Sequence, residues 1–219
     1  MEAGIFHPTV TAQAESRFIE DIWPGIFNDE VVLSHLSYHP GAVRFDELVL
    51  IASIVRHLNP KRIFEIGTGT GRTSINMFNN APNLDALYTL NLPPDECPPD
   101  IQWLEQDKKL YEQSRDEIGI CFKNIRQNDT IYQVYGDSKA FDFKECSNID
   151  FIFIDGSKRY DYVYSDSDNA LDIISEGGVI IWHDYGYADE VTQAVDTFAS
   201  DEGIEIFHIH KTTLGVYRG

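Results

Sequence analysis

The chain has 219 residues, 42% of them hydrophobic and 24% charged, and its 36 acidic residues against 17 basic ones give a formal net charge of −19. That size and composition suit one globular domain with a sizeable core, and the negative field repels phosphate backbones and anionic membranes, so nucleic acid is a poor partner. No apolar run nears the roughly 20 residues that cross a bilayer, the first residues lack a secretory pattern, and Cys97, Cys121 and Cys146 are odd in number and widely spaced; the expectation is a cytoplasmic protein with reduced, structural thiols.

Residues 1–44 show no clean period and read as an N-terminal cap or a contact between copies of the chain. Residues 45–219 read as the main domain. Its first element is a helix over 45–58, where an apolar stripe at 48, 49, 51, 52, 54, 55 and 58 stops at Asn59-Pro60. Short apolar runs at 62–66, 86–90, 130–135, 151–154 and 179–182 suit strands covered on both faces. Helical patterns at 72–79, 101–118, 161–174 and 190–199 lie between and after them. The last two runs, 204–209 and 213–217, are too close for a parallel crossover and must form an antiparallel hairpin. The pattern predicts an α/β fold, a Rossmann-like, doubly wound sheet of seven strands, mostly parallel, with that hairpin at its C-terminus.

The segment Phe64-Glu65-Ile66-Gly67-Thr68-Gly69-Thr70-Gly71-Arg72 reads as a buried strand, an acid, a glycine-rich turn and a helix start. Such a turn brings backbone amides and the free N–H groups of a helix N-terminus to one crevice, which builds a nucleoside pocket, although an ordinary tight turn uses the same residues. Asp155 and Asp184 fall at the carboxyl ends of adjacent strands, where ligands bind in open α/β sheets.

This stretch resembles the first motif of class I S-adenosylmethionine-dependent methyltransferases. Tyr135-Gly136-Asp137-Ser138, then Phe151-Ile152-Phe153-Ile154-Asp155-Gly156-Ser157, then Ile181-Trp182-His183-Asp184-Tyr185 resemble, in order, later motifs of the branch with FIDG and HDY signatures. The resemblance implies that Glu65 and the backbone of Gly67, Thr68, Gly69 and Gly71 hold the amino acid end of the cofactor. It also implies that Asp137 accepts from the adenine amino group and the Ser138 amide meets a ring nitrogen, while the same pair would serve as a helix cap. Where the family carries an acid for the ribose hydroxyls this chain has Asn91, whose amide offers a weaker grip.

Metal-assisted relatives hold a divalent cation at positions that match Asp155, His183 and Asp184, and Asp155 also borders the cofactor. Two carboxylates and an imidazole suit Fe, Co or Zn at least as well as Mg or Mn. His183 alternatively serves as a general base or as a structural group bonded to a backbone carbonyl. Lys158 stands where the branch commonly has histidine; it would attract an anionic acceptor or lie in solvent, and Tyr160 matches the pattern. His208 and His210, and His35 and His39, are read as structural pairs, and Trp182, Tyr185 and Tyr187 as acceptor-stacking or packing aromatics.

The resemblance implies a methyltransferase acting on a small-molecule acceptor, with O-methylation ahead of N-methylation. A nucleotide- or NAD-dependent Rossmann enzyme is the alternative among enzymes. A non-catalytic cofactor-binding protein of the same fold is the alternative outside them.

Overall fold

The computed structural model describes residues 9–37, 41–95, 103–123 and 129–219. His39, Cys97 and the start of the helix expected from residue 101 lie outside the described residues. The elements in chain order are β1 (Glu15–Arg17), α1 (Ile19–Ile22), α2 (Phe45–Leu58), β2 (Arg62–Ile66), α3 (Arg72–Asn80), β3 (Ala86–Asn91), α4 (Glu105–Ser114), β4 (Ile131–Tyr135), β5 (Ile149–Ile154), α5 (Tyr160–Ile173), β6 (Ile174–Trp182), α6 (Asp189–Glu202), β7 (Ile206–Ile209) and β8 (Gly215–Arg218). No helix among the described residues is long and apolar enough to cross a membrane.

The sheet order is β1-β7-β8-β6-β5-β2-β3-β4, and every pairing is parallel except those that β8 makes with β6 and β7. This is the expected doubly wound sheet with its terminal hairpin, but with eight strands in place of seven. The additional strand, β1, is Glu-Ser-Arg and pairs in parallel with β7 at the sheet edge. A short polar edge strand carries no apolar pattern to announce it.

Side chains of the central strands alternate between two cores. Ile63, Phe151, Phe153, Val179 and Ile181 face the layer that holds α2 and α3, while Phe64, Ile152, Ile154, Ile180 and Trp182 face α5 and α6. That period of two explains why these strands read as continuous apolar runs, since both faces are buried. The N-terminal segment is part of the first layer: Ile19, Ile22, Trp23 and Ile26 are buried in it. Nearby, Ala14 and Gln13 donate their amides to the Tyr185 hydroxyl and Asp196, and Thr9 and Val10 donate theirs to Asp189 at the start of α6.

Register places the functional loops. Ile66 pairs with Leu90 and Ile154, and Ile154 pairs with Trp182, so β2, β3, β5 and β6 end on one row. Ladder-like bonds continue one residue beyond it, from Gly67 to Leu90, Asp155 to Ile66 and His183 to Ile154. The chain reverses its winding between β2 and β5, which makes this row the switch point of the sheet.

Candidate active site

A cavity of about 300 Å³ opens on that row, at the lower end of the size range for small-ligand sites. The glycine loop after β2, Asn91 at the end of β3, Asp137 and Ser138 after β4, and Asp155 to Lys158 after β5 all line it. Arg72 and Thr73 bring the N-terminus of α3 to the same wall, where the first helical amides have no intrahelical acceptor. Gly67 has φ +98°, and a Cβ there would collide with the Asp155 carbonyl, so the loop passes β5 as closely as backbone allows.

Across the opening lies α4, none of whose residues is buried. Trp103, Leu110 and Tyr111 close the cavity from that side, and Asp107 ties α4 to its floor by accepting from the Ser157 hydroxyl at 2.9 Å and the Lys158 amide at 3.0 Å. Gly41, Ala42 and Val43 complete the rim from the N-terminal segment. Buried Arg72 fixes that segment by donating to the carbonyls of His35 and Val43.

The predicted cofactor residues divide into two groups. Gly67, Thr68, Gly69, Asn91, Asp137, Ser138 and Asp155 line the cavity, whereas Gly71 lies behind it against the Phe122 ring and Glu65 is sealed off from it. Glu65 is 0% exposed; Ser74 and Thr89 donate to its Oε2, and its Oε1 has no partner. Burial outweighs those two bonds and pushes its carboxyl up to about 8, so it is neutral at pH 7. Glu65, expected at the cofactor's ammonium, thus lies beneath the loop and is not among the residues that line the cavity.

Asn91 lines the cavity and is bonded to its loop. Its Oδ1 accepts from the Thr68 amide at 3.1 Å and the Gly69 amide at 3.4 Å, and its Nδ2 donates to the Leu92 carbonyl. The side chain latches the glycine loop to β3. Asp137 caps no helix; it accepts from the Lys139 amide within a turn and from the Tyr162 hydroxyl at 3.1 Å, and Tyr162 shares the cavity wall.

At the other end of the cavity the chemistry-bearing side chains converge. One donor atom from each of Asp155, His183 and Asp184 lies within 4.8 Å of the others. His183 Nδ1 faces Asp155 Oδ1 at 3.1 Å and Asp184 Oδ2 at 3.4 Å, while Nε2 faces Glu47 Oε2 at 3.3 Å. Burial works to neutralise this ring, but the carboxylates, Asp155 foremost, overcome it and hold its pKa well above the ordinary value. Both nitrogens thus face carboxylates, and His183 is not among the residues that line the cavity.

Lys158 forms an ion pair with Asp184 Oδ2. Burial lowers its ammonium pKa, yet Asp184, Asp155 and Asp107 together raise it above the ordinary lysine range. Asp184 is in turn held well below the usual carboxylate range, because His183 and Lys158 outweigh the burial that opposes them. Asp155 keeps its second oxygen free of any hydrogen bond among the described residues and lines the cavity with Lys158.

Glu47 is the group that sequence reasoning missed. It is fully buried on α2 and also accepts from the amide of Thr213, at 2.6 Å. An acid interrupting the apolar face of Leu48 and Ile51 is the signal that marks it. The aromatic trio does not reach the acceptor side: Trp182 and Tyr185 face the α6 layer, bonded to Ser167 and Asp196, and Tyr187 is exposed. His208 packs edge-on to Tyr185 and bonds the Thr212 carbonyl, and His210 contacts Ser16 and Phe18.

The family model for a methyltransferase domain matches residues 64–185, more than half of the chain, from β2 to just past β6. The chain belongs to this methyltransferase family. Solved structures with the same fold include the O-methyltransferase NovP, at TM-score 0.63 and 18% identity over 78% of each chain. The methyltransferase PaMTH1 of Podospora anserina, bound to S-adenosylhomocysteine, matches at TM-score 0.57 and 17% identity over 82% of this chain and 79% of that one. A putative caffeoyl-CoA O-methyltransferase from Staphylococcus aureus matches at TM-score 0.57 and 16% identity over 81% and 85%. No curated protein sequence matches the chain. For a methyltransferase of this family, the matched residues include every strand end that builds the cavity.

Proposed function

We propose that the protein is an S-adenosylmethionine-dependent O-methyltransferase of a small-molecule acceptor. The observation that carries this is the position of the cavity: one wall is the glycine loop, Asn91 and Asp137-Ser138, and the other is Asp155 with Lys158. The first wall offers what a nucleoside with an amino acid tail requires, namely amides at a helix N-terminus, an amide side chain beside the loop and a carboxylate next to an aromatic ring. Bound there, the cofactor supplies an electrophilic methyl on a sulfonium, whose sulfur keeps the bonding electron pair when an acceptor oxygen takes the carbon.

The chain's own residues then manage charge and position. Asp155 presents a free carboxylate oxygen to the cavity and takes the acceptor's hydroxyl proton. Lys158 places an ammonium beside the oxygen that develops negative charge. His183 is a positioning residue: it touches the cavity only through Asp155, which it orients. The α4 lid, fastened by Asp107, excludes water from the sulfonium.

A divalent cation fits the Asp155, His183 and Asp184 set poorly. The imidazole faces carboxylates at both nitrogens, and Asp184 Oδ2, the oxygen nearest it, is paired with Lys158.

Calorimetric titration with S-adenosylhomocysteine, followed by an acceptor screen with labelled cofactor, tests the proposal. Saturable binding that survives Asp155→Asn, with methyl transfer abolished by the same change, is expected. Absence of binding refutes the methyltransferase reading; binding without transfer to any hydroxylated acceptor leaves a cofactor-binding protein and refutes the catalytic one.

A further inference from the structure

From the charge cluster at the cavity's end we infer that Lys158 and His183 stand in the place of a divalent cation, so that the acceptor hydroxyl is activated by an internal ammonium and a carboxylate without metal. This rests on the methyltransferase reading of the same site. Three carboxylates, Glu47, Asp155 and Asp184, converge there, and two cationic side chains already sit between them.

Geometry pairs the cluster's inward-facing atoms with one another. An imidazole binds metal through a lone pair, but His183 Nδ1 lies 3.1 Å from Asp155 Oδ1 and Nε2 lies 3.3 Å from Glu47 Oε2, so each nitrogen is directed at a carboxylate oxygen. Asp184 Oδ2, the oxygen nearest His183, accepts from Lys158 Nζ. Lys158 is held from its other end as well, because its amide donates to Asp107 Oδ2 at 3.0 Å and the neighbouring Ser157 hydroxyl donates to the same oxygen at 2.9 Å. The lysine therefore cannot leave Asp184 without releasing a buried carboxylate that it neutralises.

Substrate chemistry follows from the exchange. A metal ion in such a site gains most from an acceptor with two adjacent oxygens, which chelate it. An ammonium does not chelate; its three N–H donors act separately, and Lys158 already gives one of them to Asp184 Oδ2. With Lys158 donating to the acceptor oxygen and Asp155 accepting its proton, a single hydroxyl suffices, and a vicinal partner is not required. The acceptor class assigned to the site is a molecule with a reactive hydroxyl that needs no vicinal oxygen beside it.

The test reads metal binding directly. Free Mn²⁺ is followed by its electron paramagnetic resonance signal during titration with wild type, Lys158→Met, Lys158→Arg and the double variant Lys158→Met/Asp184→Asn, with S-adenosylhomocysteine binding in EDTA measured on each as a check of fold. Wild type and Lys158→Arg are expected to leave the signal unchanged, Lys158→Met to bind Mn²⁺ at least roughly tenfold more tightly than wild type, and the double variant to lose that gain. One tightly bound Mn²⁺ in wild type, removed by Asp184→Asn, overturns the inference. So does a Lys158→Met protein that binds S-adenosylhomocysteine normally yet gains no affinity for Mn²⁺. Failure of every variant, wild type included, to bind S-adenosylhomocysteine sinks the methyltransferase reading instead, and the Mn²⁺ titration still decides whether the site is closed to metal.

Discussion

Replacing Glu65 by glutamine should make the protein more stable as pH rises, relative to wild type. The carboxyl is fully buried, with one oxygen unpartnered, and its pKa is pushed from an ordinary 4.5 up to about 8. Between these two values the folded state holds a proton that the unfolded state has released. Stability therefore falls with increasing pH across that window, by the linkage between proton uptake and folding. By pH 7 the loss is on the order of 3 kcal/mol, taking about 1.4 kcal/mol for each pH unit above 4.5. Glutamine has nearly the same shape, accepts from Ser74 and Thr89 as the acid does, and does not titrate. The assay is urea unfolding of both proteins at several pH values between about 5 and 8. The difference between them isolates Glu65, since Asp166, another buried acid pushed up to about 7, contributes the same slope to both. A stability difference that stays constant across this range would refute the argument, because it would mean that Glu65 is ionised in the folded protein throughout.

Three other changes probe the site. Asn91→Ala removes the acceptor of the Thr68 and Gly69 amides, and S-adenosylhomocysteine should then bind roughly tenfold more weakly, the worth of about one hydrogen bond; unchanged affinity by calorimetry would show that the latch does not shape the pocket. Gly67→Ala forces a Cβ into the Asp155 carbonyl at φ +98° and should cost more than about 3 kcal/mol, seen as a large drop in the thermal midpoint, so a melting curve like that of wild type contradicts the close approach of β2 and β5. Glu47→Gln leaves His183 with one carboxylate fewer and should destabilise the protein by roughly 2 kcal/mol at neutral pH. Because the Glu47 pKa is depressed in the fold, that contribution exists above the ordinary carboxylate pKa and disappears as pH falls through the depressed one. Unfolding curves of variant and wild type should therefore converge in acid, and a gap that persists there speaks against the ion pair.

Periodicity made most of the sheet legible, for a physical reason. Strands such as β5 and β6 bury both faces, so their sequences are unbroken apolar runs, and α2 both starts and stops where its stripe does, at Phe45 and before Asn59, which takes the left-handed conformation. β1 escaped because three polar residues at an edge depend on β7 for their structure, with no apolar face of their own. The expected helix over 101–118 appears as α4 at Glu105–Ser114 followed by a 3-10 turn at Arg115–Glu117, a lid with no buried residue to fix its ends.

The site divides along the same line. Residues at or just beyond a strand end, such as Gly67, Asn91, Asp137 and Asp155, were legible because the strand ends they follow or close lie side by side in the sheet. Side-chain chemistry was not, because it depends on partners from elsewhere in the chain. Glu65 precedes the glycine loop as a cofactor ligand would, yet strand alternation turns it inward onto Ser74 and Thr89, and burial protonates it. His183 sits where a base or a metal ligand would, yet Glu47 approaches from 136 residues away and occupies its second nitrogen. Charge state in this pocket is thus a property of packing between α2, β5 and β6, and the same packing that leaves Asp155 Oδ2 without a hydrogen bond among the described residues sets His183 between carboxylates.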